Sequence, residues 1–544
     1  MPDKLNIEPT EYKQLLKAYH KKSERHVLVL EADVSHQNKC KIFHYADLER
    51  KAGNELVAVM KNNYEQLTRT KRYRKLRKLY GKYVGADDET NAKAIAIQLN
   101  DMQNQYNVTW DYCRAAMIPI GKKYGIDAVF ALTKAEDVWR AIEKCLYADG
   151  KNIHFSKRED LPGIRAKQAN RGIVISAADK KLRFKFSGIY FGVQIRDCFE
   201  EDEVNAVLEY LADADTKDYQ AIEALKDGVF VSTYRPCYAS LICKKIRGKL
   251  RTYIHITIEG HAKPKYDKHG RYKHKFGNGI VGCDIGTQTI AYTSDSEVGL
   301  KNLAERGTAI STNERKERLI YRAMDRSRRA TNPQNYNPDG TIKKGHKTWT
   351  YSKRYMRLKN KHFDLCRINS TNRHLAINED VNRLRSLGDI FVTEPKNAKK
   401  LQKRAKNTTI NSKGKINRKK RFGKSIKNRC PGYFQSQAEK KFCNTGGRYV
   451  EVPNTYKASQ YDHTANDYIK KKLSDRMYNL SDGTRVQRDW YSSFLLYNID
   501  LKDYTIDRRK CLSNFKQHYT KEQTLVEWIK DSNIKVLNSG IKIA

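Results

Sequence analysis

Asn278-Gly-Ile-Val-Gly-Cys-Asp284-Ile-Gly-Thr-Gln-Thr-Ile-Ala-Tyr-Thr-Ser-Asp295 is a short apolar run that ends in a carboxylate and then turns through glycine and hydroxyl residues. The pattern reads as strand, tight turn and second strand, with Asp284 at the strand end, where its carboxylate faces a cleft rather than the core. Two later stretches are built to meet it. Asp389-Ile-Phe-Val-Thr-Glu394 is another apolar run closing on an acid, and Gly483-Thr-Arg-Val-Gln-Arg-Asp489 brings a third. Taken singly, each is read as an ordinary solvated turn residue. Together, three carboxylates on separate elements suit a divalent-metal site for phosphodiester chemistry, because hard cations take oxygen ligands and a pair of them polarises both the attacking and the leaving oxygen.

Asp284-Ile-Gly-Thr also resembles the first phosphate motif of actin-like and sugar-kinase ATPases, so the rest of the chain must decide. Charge decides most. The 544 residues carry a formal net charge of +44, which a kinase of small sugars has no use for. A protein that wraps polyanions gains affinity from each phosphate it neutralises. Tyrosine, at 34 residues, suits stacking on bases. The eleven cysteines contain no C-x-x-C pair, so neither a zinc ribbon nor a disulfide framework is written in the usual way. No apolar segment approaches the ~18 residues of a membrane span, and Met1 to Arg25 lacks the apolar core of a signal peptide. The expectation is a soluble protein of two to four domains in a reducing, prokaryotic cytoplasm, with no membrane partner.

Along the chain, His26 to Val34 is strand-like after a basic amphipathic opening, and residues 41–150 carry helical periodicity. Within that block Thr68 to Tyr80 is densely cationic, and Lys71, Arg72, Arg74 and Lys75 are candidate phosphate contacts. Strands are predicted at 172–176, 182–186, 189–195, 229–234 and 250–258, interrupted by an acidic helical segment from Glu200 to Lys226. The unit they suggest is a small β-barrel with the helical block inserted after its first strand. Beyond the Asp284 hairpin, Ser311-Thr-Asn-Glu314 is a capping box opening a helix that bears Arg322, Arg326 and Arg329. A second helix is predicted from about Thr348 to Leu387, stopped by Gly388. Lys396 to Arg429 then holds fifteen Lys or Arg and no acid. Lys399, Lys400, Lys403, Arg404, Arg418, Lys419 and Lys420 in that run are further nucleic-acid candidates.

The three carboxylate stretches together resemble the RuvC-like nuclease core shared by transposon-encoded TnpB proteins and type V CRISPR (miniature Cas12-like) effectors. The first matches the family's G-x-D-x-G-x-x-x-x-A as Gly282, Asp284, Gly286 and Ala291. The second matches a strand ending in Glu with Asn three residues on, here Glu394 and Asn397, although the family's Glu-Asp pair is replaced by Glu394-Pro395. The third matches an Arg-Asp pair as Arg488-Asp489, and departs where the family's Asn is Tyr491, followed by Ser492 and Ser493. In the family the insert before the last Asp carries two C-x-x-C knuckles. Here Ala458-Ser459-Gln460 keeps a flanking triplet, but the four cysteine positions read Asp462, Ala465, Asn479 and Asp482.

The resemblance implies an α+β, multidomain, bilobal fold. Its expected parts are a wedge-like N-terminal β-barrel (1–40 and 151–275), an inserted helical recognition domain (41–150) and a ribonuclease H-like RuvC nuclease domain (276–454 and 488–500). A degenerate zinc-ribbon insert (455–487) and a C-terminal tail (501–544) complete it. It further implies an RNA-guided endonuclease that cuts double-stranded DNA beside a short flanking motif, as a monomer or homodimer per guide RNA. Asp284, Glu394 and Asp489 would be catalytic and hold two Mg²⁺, with Mn²⁺ as a substitute. No structural zinc is expected, because the knuckles have lost their cysteines. Asp462, His463 and Asp482 are the residues left there that could hold another ion. The alternatives are a cleavage-deficient guided DNA-binding protein or repressor and, from the phosphate motif, an actin-like ATPase.

Overall fold

The computed structural model describes every residue except 1–7, 149, 158–160, 162, 168, 268, 306–309, 403–406, 409, 411–413, 415–421, 473–474 and 544. The chain forms two compact units, Met1–Pro264 and Lys265–Ala544.

The first unit opens with helix α1 (Pro9–Lys22) and strand β1 (Arg25–Asp33). Five helices follow before the sheet resumes: α2 (His36–Arg69), α3 (Lys71–Val84), α4 (Glu89–Gln105), α5 (Trp110–Lys123) and α6 (Ala128–Tyr147). Side-chain caps start the first four, with Ser35, Thr70, Asp88 and Thr109 accepting from the backbone of the first turn. Strands β2 (Ile164–Arg165), β3 (Ile173–Ala178), β4 (Lys181–Phe186) and β5 (Ile189–Gln194) lead to helices α7 (Cys198–Ala212) and α8 (Ala214–Lys226). Strands β6 (Pro236–Ile246) and β7 (Lys249–Glu259) complete the unit. The antiparallel sheet runs β2-β6-β7-β1-β5-β4-β3. Its edge strands β2 and β3 are not hydrogen-bonded to each other, so the predicted barrel is a half-barrel. Alternation makes one face apolar: Leu28, Leu30, Ile254, Ile256 and Ile258 are buried while Val27 and Val29 face outward. On the outer side Lys185 lies over the Tyr190 ring and Lys244 over that of Tyr253.

One predicted strand is absent. Residues 229–234 run as irregular chain, and β6 begins only at Pro236. The apolar residues there are used as a cover: Phe230 stacks on Tyr19 of α1, with ring centroids 5.0 Å apart, and the Tyr19 hydroxyl donates to the Val231 carbonyl. Those contacts replace a ladder.

The second unit is built on a five-stranded sheet in the order β10-β9-β8-β11-β12. Its strands are β8 (Ile280–Ile285), β9 (Thr289–Ser294), β10 (Val298–Asn302), β11 (Ile390–Thr393) and β12 (Arg448–Glu451). The first three pair antiparallel, whereas β11 runs parallel to both β8 and β12. Between β10 and β11 lie the long helices α9 (Ile310–Thr331) and α10 (Lys353–Arg385). Helix α9 starts before the predicted capping box. The Glu314 carboxylate therefore serves Lys424 at 2.8 Å and Asn428 at 2.5 Å instead of capping the helix. Short helices α11 (Ala398–Gln402) and α12 (Gly423–Arg429) precede α13 (Pro431–Asn444), which packs under the sheet through Phe434, Ala438 and Phe442.

After β12 come two small hairpins, β13 (Tyr461–Asp462) with β14 (Asp467–Tyr468) and β15 (Met477–Asn479) with β16 (Arg485–Gln487). Helix α14 (Arg488–Tyr497) then crosses β8 and β9. A last short ladder, β17 (Ile499–Asp500) with β18 (Thr505–Ile506), precedes helix α15 (Arg508–Asp531). Among the described residues no helix is long and apolar enough to cross a membrane.

Candidate active site

Asp284 sits on β8 in the triad Cys283-Asp284-Ile285, whose flanking side chains are buried in the core, so the pleat turns its carboxylate out of that core. The parallel register pairs Thr393 with Cys283, which carries Glu394, one residue past the end of β11, to the level of Asp284. Asp489 arrives from a different direction, in the first turn of α14. That helix lies unusually close to the sheet. A Cβ at Gly282 would fall 2.3 Å from the Tyr497 nitrogen and 2.4 Å from the Ser493 carbonyl, so only glycine admits the helix here. Ser493 is the matching small residue, and its hydroxyl bonds that of Thr293 at 2.8 Å.

The three acids therefore converge, and Asp284 registers it. Burial is the largest push on its carboxyl. Lys396, 3.8 Å away, and Arg488 oppose that push, but Asp489 and Glu394 add to it, and the result is a pKa of about 7. The donor set of the three acids is all carboxylate oxygen, which is hard, and the crowding of like charge is what a divalent cation relieves.

Several positioning groups escape a sequence reading. The Ala458 N–H donates to Glu394 Oε1 at 2.9 Å, so the triplet Ala458-Ser459-Gln460 orients a catalytic candidate through its backbone. Arg488 grips the Asp489 carboxylate at 3.0 Å and Arg476 lies 3.6 Å from it. Asn397 caps α11 by accepting from the Lys400 N–H at 3.0 Å. Asn397, Arg488 and Ala458 stand in motifs that the sequence shows, but it does not show the contacts that Ala458 and Arg476 make to the acids.

The insert that precedes Asp489 is joined without cysteine. Asp462, almost wholly buried, accepts from the N–H and hydroxyl of Thr464 at 3.0 and 2.7 Å, and from the N–H and hydroxyl of Ser481, both at 2.9 Å. One carboxylate thus ties the first hairpin to the turn of the second. Burial raises its pKa, yet these hydrogen bonds outweigh it and hold the group below the usual carboxylate range. His463 is buried and its Nδ1 lies 2.7 Å from the Tyr491 hydroxyl, while desolvation lowers its pKa. Tyr491, which stands where the family has Asn, is thereby the insert's anchor on α14. The apolar contacts include Tyr461 and Leu480, both buried, whereas Tyr468 is half exposed.

Of the nucleic-acid candidates, Lys71, Arg72, Arg74 and Lys75 are exposed on α3, whose other face buries Tyr73 and Leu76. Arg322 and Arg326 are exposed on α9, and Arg329 is partly engaged by Asp325 at 2.8 Å. Lys400 is exposed on α11, and the backbone of Lys399 belongs to the same helix. Lys403, Arg404, Arg418, Lys419 and Lys420 lie outside the described residues.

No protein-family profile and no curated protein matches the chain. Among solved structures it is similar to a cryo-EM structure of a Cas12f1–sgRNA–target DNA complex, with 10% identity and a TM-score of 0.42 over 88% of this chain and 99% of that one. It is also similar to a CRISPR-Cas12f ternary complex, with 13% identity and a TM-score of 0.23 over 90% of this chain and 85% of that one. A third is a Cas12i–crRNA–dsDNA complex, with 9% identity and a TM-score of 0.21 over 83% of this chain and 57% of that one. All three are Cas12 proteins held in complexes.

Proposed function

We propose that the chain is an RNA-guided DNA endonuclease that hydrolyses phosphodiesters with Asp284, Glu394 and Asp489. The observation that carries this reading is the convergence of the three acids from β8, the end of β11 and the first turn of α14, with the Asp284 carboxyl raised first by burial and then by Asp489 and Glu394. The strand order, three antiparallel strands continued by two parallel ones, supports a ribonuclease H-like core with RuvC-type placement of the acids.

Asp284, Glu394 and Asp489 would hold two Mg²⁺ or Mn²⁺ ions, which supply positive charge to the attacking and leaving oxygens of the scissile phosphate. The protein's own residues set the geometry: Ala458 fixes Glu394, and Arg488 with Arg476 fixes Asp489. Lys396, at 3.8 Å from Asp284, offsets part of the local negative charge and is placed to meet a phosphate oxygen. Sequence specificity is delegated to guide pairing, as the motif resemblance implies and as the net charge of +44 supports. One site then cuts both strands in turn.

The test is incubation of purified protein with small RNAs and a supercoiled target plasmid, with and without Mg²⁺. Cleavage that needs both RNA and Mg²⁺ is expected. RNA-dependent binding without cleavage would instead make the chain a guided repressor, and nucleotide hydrolysis without RNA would make it an ATPase.

A further inference from the structure

The long helices of the second unit bring together a second set of ligand atoms, none of which belongs to the carboxylate cleft. Glu317 comes from α9, and His362 and Cys366 come from α10, where a spacing of four places them on one face. His362 Nε2 lies 3.4 Å from Glu317 Oε1 and 3.4 Å from Cys366 Sγ, and that sulfur lies 3.9 Å from the same carboxylate oxygen. As hydrogen bonds these contacts are long, and a neutral imidazole can donate from Nε2 to only one of the two. As the face of a ligand shell the two edges at the imidazole fit, and the sulfur–carboxylate edge would have to close by about 0.3 Å. Zn–S of about 2.3 Å with Zn–N and Zn–O of about 2.0–2.2 Å gives tetrahedral edges of roughly 3.4–3.6 Å.

The surroundings agree with an open fourth position. Glu317 and Cys366 line a cavity of about 100 Å³ together with Asn313, Asn369, Lys427 and Asn428, while His362 is buried behind them with its ring 4.4 Å from that of Tyr321. Lys427 lies 3.7 Å from Glu317 Oε1 on the cavity side. We propose that Glu317, His362 and Cys366 bind one zinc-class divalent ion, with water from the cavity as the fourth ligand, and that the ion staples α9 to α10. Imidazole and thiolate select zinc or cobalt over magnesium, so this site does not compete for the ions of the nuclease reading, and it stands whether or not that reading holds. The ligands lie on two helices far apart in sequence and follow no motif, which is why counting C-x-x-C pairs finds no metal site.

The test is titration of the chelator-stripped full chain with Co²⁺. A thiolate-to-cobalt charge-transfer band is expected, saturating at one equivalent, bleached by Zn²⁺, lost in Cys366→Ser, weakened in His362→Gln and unchanged in Asp284→Ala. Absence of that band at stoichiometric Co²⁺, or its persistence in Cys366→Ser, would overturn the proposal. Should a variant not fold, alkylation of the parent protein read by mass spectrometry serves instead. Zn²⁺ is expected to protect Cys366, and equal modification with and without Zn²⁺ would refute the site.

Discussion

Asp284 is the residue on which both chemistry and stability turn. In the proposed nuclease, replacing it with Ala would remove a carboxylate that holds metal but nothing that reads a heteroduplex. The expected result is a loss of cleavage on the order of 10³-fold or more, with RNA-dependent target binding nearly intact, measured by plasmid nicking and a filter or gel-shift assay. Its raised pKa gives a second expectation. Folding favours the protonated acid, so this stabilisation is full below the ordinary 3.8 and is lost as pH rises through about 7. A divalent cation binds the ionised form, so its stabilisation grows over the same interval. In thermal melts the gain from Mg²⁺ over chelator is expected to increase from pH 5 to pH 8, and Asp284→Asn should flatten that increase; a gain independent of pH would mean that the cation acts elsewhere. As a set the acids were legible, because three separate apolar runs each close on a carboxylate in motif order, although any one of them alone reads as a solvated turn residue. The contacts of Lys396, Ala458 and Arg476 were not, since only folding brings these residues to Asp284, Glu394 and Asp489.

At the scale of elements, the sequence and the structure part company where packing overrides pattern. The strands around Asp284 and Glu394 were readable from alternation and turn residues, and β8, β9 and β11 lie where expected. Residues 229–234 have a strand's composition, yet Phe230 is worth more stacked on Tyr19 than in a ladder. The insert shows the opposite limit: its hairpins were legible only as a cysteine-free remnant, because nothing in Asp462 as a letter says that it will collect four donors. That clasp makes a sharp expectation. Asp462→Ala removes the acceptor shared by the N–H groups and hydroxyls of Thr464 and Ser481, and should cost about 1–3 kcal/mol in urea denaturation, loosening the strands beside Asp489. Because the folded pKa of Asp462 is depressed, its contribution is present above the ordinary carboxylate range and fades as pH falls through the lower folded value. Chelation should leave protease resistance of residues 455–487 unchanged, and a new cleavage there after chelation would show that a metal holds the hairpins after all.

For the whole molecule the governing quantity is charge. A net +44 spread over two units repels itself in the absence of a polyanion, and releases counterions when phosphates arrive. Exposed cations of α3 in the first unit, and of α9 and α11 in the second, give each unit its own capacity for backbone contact. The basic run Lys396 to Arg429 starts with the lysine that faces Asp284, so phosphate held by that run would be delivered beside the carboxylates. Changing Lys399, Lys400, Lys403, Lys419 and Lys420 to Gln together should flatten the slope of log affinity against log salt by roughly 0.7 to 0.9 for each phosphate that is no longer neutralised. Changing Lys71, Arg72, Arg74 and Lys75 to Gln should flatten it as well, while leaving the Mg²⁺ requirement for cutting as it was. The slopes are to be measured by fluorescence anisotropy from about 50 to 200 mM salt, the interval over which counterion release is most visible. If the first set leaves the slope unchanged, the run does not touch nucleic acid, and the charge that recruits the substrate has to be sought on α3 and α9.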